Sequence, residues 1–412
     1  MLFENTLENL SSYGEGILEG KNKKFSEIAF NSKNINKGDV FIPLKGKNFD
    51  GHDFIDEAYK NGAVSVVSER KLKNKDYIFV KDTHRFLKRL SEKQRDLFSG
   101  YVIGVTGSNG KTTTKEILSD LIQNSTNSNG VLRSKGSLNN FFGLCFSLVK
   151  LKTEHKFACF EIGTNNKGEI SELSKILSPN MSIVTNIGQS HLAGLSSLSG
   201  VAQEKSDIFK FTKDGGVCIG RIQNEFKELF QKKAKDKTFI NLDADPKTNV
   251  DPNYEIAIKA LQYLQNETGL KKVESERFST NNIVSGRFEV KVSQYGPLII
   301  DDTYNANPDS FKFAFRKIKN FLYEKKICIM GEMGELGSFS LELHKEILSL
   351  AAKNFDVVIA VDFKTDFSSP NLNYFSREET LKELEKYKSK DFLIFFKGSR
   401  SVKMEELATV FI

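Results

Sequence analysis

The sequence predicts an α/β protein in three domains: a small α/β unit, a central parallel-sheet unit built on a phosphate loop, and a Rossmann-like unit at the C-terminal end. Three observations carry this expectation. A length of 412 residues, at about 150 residues per domain, allows two or three domains and a large buried core. Short apolar runs alternate with helical patterns through most of the chain, as in parallel sheets covered by helices on both faces. Residues 101–116, Tyr-Val-Ile-Gly-Val-Thr-Gly-Ser-Asn-Gly-Lys-Thr-Thr-Thr-Lys-Glu, pass from a β-rich run through a glycine-bearing loop directly into a helical pattern.

Residues 1–85 are expected as the small unit, with strands at 40–44 and 64–67 and a helix at 54–60 between them. Residues 82–98 read as a connecting helix. The central domain, 86–280, continues with strands at 157–163, 181–187 and 216–220 and helices near 141–150, 168–177, 198–211 and 222–233. The third unit, 281–412, is expected to carry strands near 287–292, 297–302, 326–330, 356–361 and 392–396.

The 101–116 stretch is a phosphate cradle. Val102, Ile103 and Val105 suit a buried strand, while Ile117, Leu118, Leu121 and Ile122 recur on one helix face. The loop therefore sits at a helix N-terminus, where unpaired N–H groups and the helix dipole favour an anion. Gly107 and Gly110 let the backbone approach phosphates, Lys111 can reach β/γ oxygens, and the Thr112 hydroxyl can ligate Mg²⁺. The usual spacing would place a glycine where this chain has Val105. The alternative is an ordinary strand-turn-helix with a chance Gly-Lys-Thr, and the flanking elements stand against it.

Functional groups in such sheets gather at the carboxyl ends of strands, and Glu161 and His191 fall there. Taken alone, either is more often a cap or a satisfied surface group. On the sheet that carries a phosphate loop, a carboxylate with the Thr112 hydroxyl and phosphate oxygens makes the oxygen-rich set Mg²⁺ prefers. Lys205, within 201–209, taken alone is a solvent-facing lysine.

Composition is that of a globular protein, 39% hydrophobic and 27% charged, with a net charge of +7. That mild excess suits anionic substrates such as nucleotides, or simply a solvated lysine-rich surface. No basic stripe with interleaved aromatics is present, which argues against a nucleic-acid binder. Cys145, Cys159, Cys218 and Cys328 have no paired spacing and read as buried thiols of a reducing compartment. Glu4, Glu8, Glu15 and Glu19 interrupt the start of the chain, which argues against a secretory signal, and no run reaches the ~18 apolar residues of a membrane span. A cytoplasmic protein is expected.

Thr-Gly-Ser-Asn-Gly-Lys-Thr-Thr at 106–113, Glu161-Ile-Gly, Asn186-Ile-Gly-x-x-His191-Leu, Gly200-Val-Ala-x-x-Lys205-x-x-Ile-Phe and Tyr304-Asn-Ala-Asn-Pro308 together resemble the Mur ligase family. These are the ATP-dependent amide-forming enzymes of peptidoglycan precursor synthesis, and the likeness runs from about residue 26 to 406. It implies ATP contacts at Gly107, Ser108, Asn109, Gly110, Lys111, Thr112 and Thr113, with Asn139 and Asn140 near nucleotide and substrate. It implies Mg²⁺ on Thr112, Glu161, His191 and Lys205, the last as a carbamate formed from CO₂. Arg287 and Asp302 would reach phosphates and ribose, with Tyr304, Asn305 and Asn307 also at the nucleotide. Lys111, Glu161, His191, Lys205, Arg287 and Asp302 are thereby the candidate catalytic set.

The stretch 31–63 resembles the family's UDP-binding domain and implies substrate contacts at Ser32, Lys45, Gly46 and His52. His52 and Asp53 could equally cap the helix that follows. Tyr304 to Pro308 resembles the branch that adds D-alanyl-D-alanine to a UDP-N-acetylmuramoyl-tripeptide. The implied partners are these small molecules and ATP, with no nucleic acid and no membrane span, and the implied state is a monomer. The chain departs from the family at Asn31-Ser32-Lys33, where Asp-Ser-Arg is usual, and at Cys145, where Pro is usual. It departs again at Arg221-Ile-Gln223 for Asn-Ala-Asp, and at Pro252-Asn253-Tyr-Glu-Ile256 for His-Asn-x-x-Asn. These departures motivate a rival reading, a nucleotide-binding module without catalysis. Within the enzyme class the rivals are a sister ligase adding one amino acid, against which Tyr304 to Pro308 stands, and a folylpolyglutamate synthetase, against which the UDP-type first domain stands.

Overall fold

The computed structural model describes residues 1–46, 48–126, 130–243, 251–271 and 285–411. They form three α/β units, each around its own sheet. In the first, β1 (Ile17–Glu19), β2 (Ile28–Ala29), β3 (Val40–Phe41), β4 (Ser65–Ser68) and β5 (Tyr77–Phe79) lie in the order β1-β5-β4-β3-β2, with β1 antiparallel at the edge. The strand expected at 40–44 stops at Phe41 because Pro43, two residues on, has no N–H for the ladder. A helix at Leu7–Gly14, capped by Thr6, also belongs to this unit and was not expected.

The central sheet comprises β6 (Tyr101–Thr106), β7 (Val131–Arg133), β8 (Phe157–Glu161), β9 (Met181–Val184), β10 (Val217–Gly220) and β11 (Thr238–Asn241). All are parallel, in the order β11-β10-β9-β6-β8-β7. The third sheet comprises β12 (Glu289–Val292), β13 (Leu298–Asp302), β14 (Lys325–Met330), β15 (Val357–Val361), β16 (Leu372–Phe375) and β17 (Phe392–Lys397). Its order is β12-β13-β17-β14-β15-β16, and only β12 runs antiparallel. The expected limit between residues 280 and 281 lies outside the described residues.

Helix Thr83–Leu97 forms the seam between the first two units. Its buried Arg95 donates through Nε to Leu177 O at 2.6 Å and through Nη2 to Ser178 O at 2.7 Å, and its buried Gln94 donates to the Val149 and Leu151 carbonyls. Hydrogen bonds to a charged group contribute about 1.5–3 kcal/mol each, so this helix is fastened to the central unit as well as to the first sheet. One apolar cluster runs from Phe160 and Val184 of the central sheet through Ala306 and Phe311 to Phe395 of the third. All four cysteines are buried free thiols. Among the described residues, no helix is long and apolar enough to cross a membrane.

Candidate active site

The site is built where the carboxyl ends of β6, β8 and β9 meet the carboxyl ends of β13 and β17. Gly107 leaves β6 at φ 146°, and a Cβ there would lie 1.8 Å from Thr185 Oγ1. Gly110, at φ 79°, is braced the same way by Asn253 Oδ1, 1.9 Å from where its Cβ would stand. The loop is thus clamped between the end of β9 and the start of helix Pro252–Thr268, so both positions need glycine. Asn186 holds it further, accepting from Ser108 N (3.1 Å) and, at Oδ1, from Asn109 N (3.0 Å). Helix Lys111–Thr126 begins directly after it. Lys111 folds back so that Nζ donates to Gly107 O at 2.8 Å and Ser108 O at 3.2 Å. Burial pushes this ammonium below the usual lysine range, and Glu161 opposes the shift.

Thr112 lies buried on the first turn and donates to Glu161 Oε2 at 2.5 Å. The other oxygen of Glu161 accepts from Asn139 Nδ2 at 2.8 Å. Arg287, from the third unit, donates through Nη2 to Thr112 Oγ1 at 2.9 Å, with its guanidinium 4.1 Å from the centre of the Tyr304 ring. The Tyr304 hydroxyl in turn hydrogen-bonds Ser137 of the central unit. Asn307 and Asn109 join the units through their amides, Asn307 Nδ2 to Asn109 Oδ1 at 2.7 Å. Asn307 also opens helix Pro308–Ile318 with a capping box and Pro308 at its first turn, so that helix is aimed by the residue that touches the phosphate loop.

Asp302, at the end of β13, receives Lys397 Nζ at 2.6 Å and Phe288 N at 3.0 Å. Burial pushes its carboxyl above the usual range, against the pull of Lys397. Lys397 also donates to Asn305 O at 3.0 Å, which fixes the turn that carries Asn305. His191 sits just beyond β9 at φ 54°, with Nδ1 2.5 Å from Glu335 Oε2.

Lys205 does not face solvent, as a lysine taken alone would be expected to do. It is 0% exposed on helix Leu198–Lys210, and its Nζ has no hydrogen-bond partner among the described residues. Burial first, and then Lys111, push its pKa well below the lysine range, against Glu204 and Glu161. Glu204 beside it accepts from Gly168 N and Ile170 N, both at 2.7 Å, which locks the rotation of the helix that carries Lys205.

A cleft of about 1030 Å³ joins these parts, although neither Lys205 nor Glu335 is among its lining residues. It is lined by Ser108, Asn109, Gly110, Lys111, Thr112, Thr113, Asn139, Asn140, Glu161 and His191 of the central unit, and by Arg287, Asp302, Tyr304, Asn305 and Asn307 of the third. The donor chemistry fits a hard cation: a hydroxyl and a carboxylate in contact, a histidine on the same rim, and a buried amine left without a partner. Among the described residues no three His, Cys, Asp or Glu side chains converge on one point, so the acidic donors alone are few.

Models of three domains match in sequence: the Mur ligase family catalytic domain over residues 24–95, the Mur ligase middle domain over 105–297, and the glutamate ligase domain over 286–408. The UDP-N-acetylmuramoyl-tripeptide–D-alanyl-D-alanine ligase of Rickettsia prowazekii is 30% identical, covering 93% of this chain and 94% of its own length. The chain belongs to the Mur ligase family. The ligase of the same name from Haemophilus influenzae is 29% identical over 95% of this chain and 94% of its own. A crystal structure of MurF from Acinetobacter baumannii superposes with a TM-score of 0.86 at 26% identity, covering 99% of each chain. The MurF ligase of Thermotoga maritima in complex with ADP does so at 0.81 and 28% identity, covering 93% of this chain and 96% of that one.

The Mur ligase resemblance also named four residues of the first unit, and none of them lines the cleft. Ser32 is buried and donates to Glu57 Oε2 at 2.5 Å. Lys45 pairs with Glu69. Gly46 backs onto the Phe49 ring. His52 has both ring nitrogens engaged, Nδ1 2.6 Å from Asp50 Oδ1 and Nε2 accepting from Glu69 N at 3.2 Å, while Asp50 caps the short helix Gly51–Phe54. Its observed role is to tie that turn to Glu69.

Residues missed in the candidate set are Ser137, Glu335, Lys397 and Asn253. Lys397 ends β17 and Glu335 stands in a loop, and only the fold brings them to the site. Ser137 gave no sequence signal. Asn253 survives from a stretch read as a departure, and it holds Thr114 Oγ1 at 3.3 Å as well as bracing Gly110.

Proposed function

We propose that the chain is an ATP-dependent ligase that joins D-alanyl-D-alanine to UDP-N-acetylmuramoyl-tripeptide through an acyl phosphate, in peptidoglycan precursor synthesis. The observation that carries this reading is Arg287 of the third unit on the hydroxyl of Thr112, which already touches Glu161. A third-unit cation at the phosphate loop supports chemistry at the junction of the central and third units. The relatives named above carry this activity in their names along nearly the whole chain.

In the first step a carboxylate oxygen of the tripeptide attacks the γ-phosphorus, the bond to the β-phosphate oxygen breaks, and ADP leaves. In the second the dipeptide amine attacks the acyl carbon, the carbon–oxygen bond to phosphate breaks, and the amine proton leaves with solvent. Both steps bring anions together, so charge must be neutralised. Lys111 and the N–H groups at the start of helix Lys111–Thr126 serve the phosphates, and Arg287 meets them from the opposite wall. Mg²⁺, when bound, supplies further neutralisation, with Thr112, Glu161, His191 and Lys205 as its donors. Lys205 fits that set as a carbamate, since among the described residues the buried amine is without a partner and the acidic donors are few. Asp302, Tyr304, Asn305 and Asn307 hold the nucleoside side, and Asn139 and Asn140 hold the reacting carboxylate near Glu161. The UDP end belongs to the first unit at Ser32, Lys45, Gly46 and His52, which requires their present pairings to open. The functional domains are 1–85, 86–280 and 281–412, in a cytoplasmic monomer.

Phosphate release from Mg-ATP should require both the UDP-tripeptide and D-alanyl-D-alanine. Robust turnover with a single free amino acid as acceptor would move the assignment to a sister ligase. Parallel assays with tripeptides ending in lysine and in diaminopimelate decide the donor.

A further inference from the structure

The segment 333–337 of the third unit meets the central unit at His191. Two non-glycine residues there adopt the left-handed conformation, His191 at φ 54° and Glu335 at φ 62°. Residues with a Cβ seldom take it unless the surroundings impose it. The backbone around them is docked: Ala193 N donates to Glu335 O at 3.1 Å, and Gly337, at φ 59°, passes so close that a Cβ would stand 3.1 Å from Ala193 Cα. Leu336, between them, is buried. The carboxylate of Glu335 is therefore placed by main chain on both sides, and its Oε2 lies 2.5 Å from His191 Nδ1. That nitrogen is buried, and the carboxylate of Glu335 is the acceptor it faces.

We propose that Glu335 is a positioning residue for His191, supplied by the third unit, so that the divalent-cation site on the central sheet is complete only when the third unit is docked. A carboxylate at one imidazole nitrogen keeps the proton there and leaves the lone pair of the other, Nε2, for a cation. Partners of this kind tune metal affinity by about 10- to 100-fold. Substrate-driven docking and cation binding then reinforce one another. The inference rests on the reading of His191 as a cation ligand given above.

The test uses the full chain with Mn²⁺ and a non-hydrolysable ATP analogue, with binding measured by calorimetry. Glu335→Gln should weaken Mn²⁺ binding by about 10- to 100-fold and leave nucleotide binding without divalent metal unchanged. Glu335→Asp, which keeps the charge, should recover part of the loss. In the metal-free protein, ¹⁵N shifts of His191 should report the Nδ1–H tautomer in the native chain and a mixture in Glu335→Gln. Native Mn²⁺ affinity in Glu335→Gln beside weakened affinity in His191→Ala would overturn this proposal and leave the cation reading standing. Native affinity in both variants would overturn the two together.

Discussion

Replacing Lys205 by methionine should give a protein that is more stable and nearly inactive. Lys205 is fully buried with no partner for Nζ among the described residues, and burial followed by Lys111 drives its pKa well down. An ammonium there would forfeit several kcal/mol of hydration, which favours the neutral amine. Its unmade hydrogen bonds still cost about 1–3 kcal/mol. Methionine fills similar volume without a polar atom and should recover about that amount, a rise in Tm of roughly 2–4 °C per kcal/mol for a unit of this size. Activity should move the other way. The carbamate proposed above would form from the neutral amine and CO₂: an N–C bond forms, a C–O π pair moves to oxygen, and an N–H proton leaves to solvent. Methionine cannot make it, and loss of a charge stabiliser of this kind costs about 10²–10³ in kcat. The assays are thermal scans in CO₂-free buffer, phosphate release, and ¹³C spectra of the native enzyme under ¹³CO₂. Lys205→Ala should regain partial activity with short carboxylic acids. A methionine variant that is fully active, or less stable by more than about 1 kcal/mol, would refute the reasoning.

Three further outcomes follow from individual contacts. Lys397→Met strands Asp302, whose Oδ2 lies 2.6 Å from Lys397 Nζ, and should cost about 3–5 kcal/mol in urea unfolding; adding Asp302→Asn should recover much of it, and simple additivity of the two losses would exclude the coupling. Burial pushes the Asp50 carboxyl up, but the His52 amide and ring and the Arg70 guanidinium outweigh it and bring it down to about 2. The folded carboxyl thus binds its proton less readily than the unfolded one at 3.8, so its stabilisation, on the order of 1–2 kcal/mol, is complete above that value and fades as pH falls toward 2; Asp50→Asn should flatten that limb in circular dichroism. Ser32→Ala should raise KM for the UDP substrate while leaving that for ATP nearly unchanged, at a stability cost of about 1 kcal/mol for the lost bond to Glu57; equal effects on the two KM values would remove the UDP site from the first unit.

The central strands were legible because a strand buried on both faces writes a continuous apolar run. β8, β9 and β10 are buried along their whole length. The edge strands β7, β11 and β16 are half exposed, so the same rule passes over them. The first sheet was read only in part: the strands expected at 40–44 and 64–67 are β3 and β4, while β2 is two residues long and no period can be read from two residues. The phosphate loop was legible for the opposite reason: strand, glycines, lysine and helix are contiguous, so local chemistry suffices. Arg287 on Thr112 and Tyr304 on Ser137 are contacts between units, and only resemblance pointed to the first of them.

Lys205 shows where a base rate hid a readable signal. Most lysines face water, and taken alone Lys205 would be expected to do so; only the Mur ligase resemblance pointed to it as a cation ligand. Yet Val201, Ala202, Ile208 and Phe209 are all buried on the same helix, and Lys205 falls at the centre of the stripe they form, three or four residues from each. Helical spacing of this kind marks the core-facing side, so the pattern itself placed the lysine inside. Its neighbour Glu204 is buried too, but its oxygens are spent on helix Glu169–Leu177, and among the described residues it makes no hydrogen bond to Lys205. A lysine held in a core stripe beside an acid already committed elsewhere must lose its proton, find an anion, or become one. The cation proposed at the Thr112 and Glu161 oxygens favours the last of these, because a carbamate within reach of the Glu161 charge would share it.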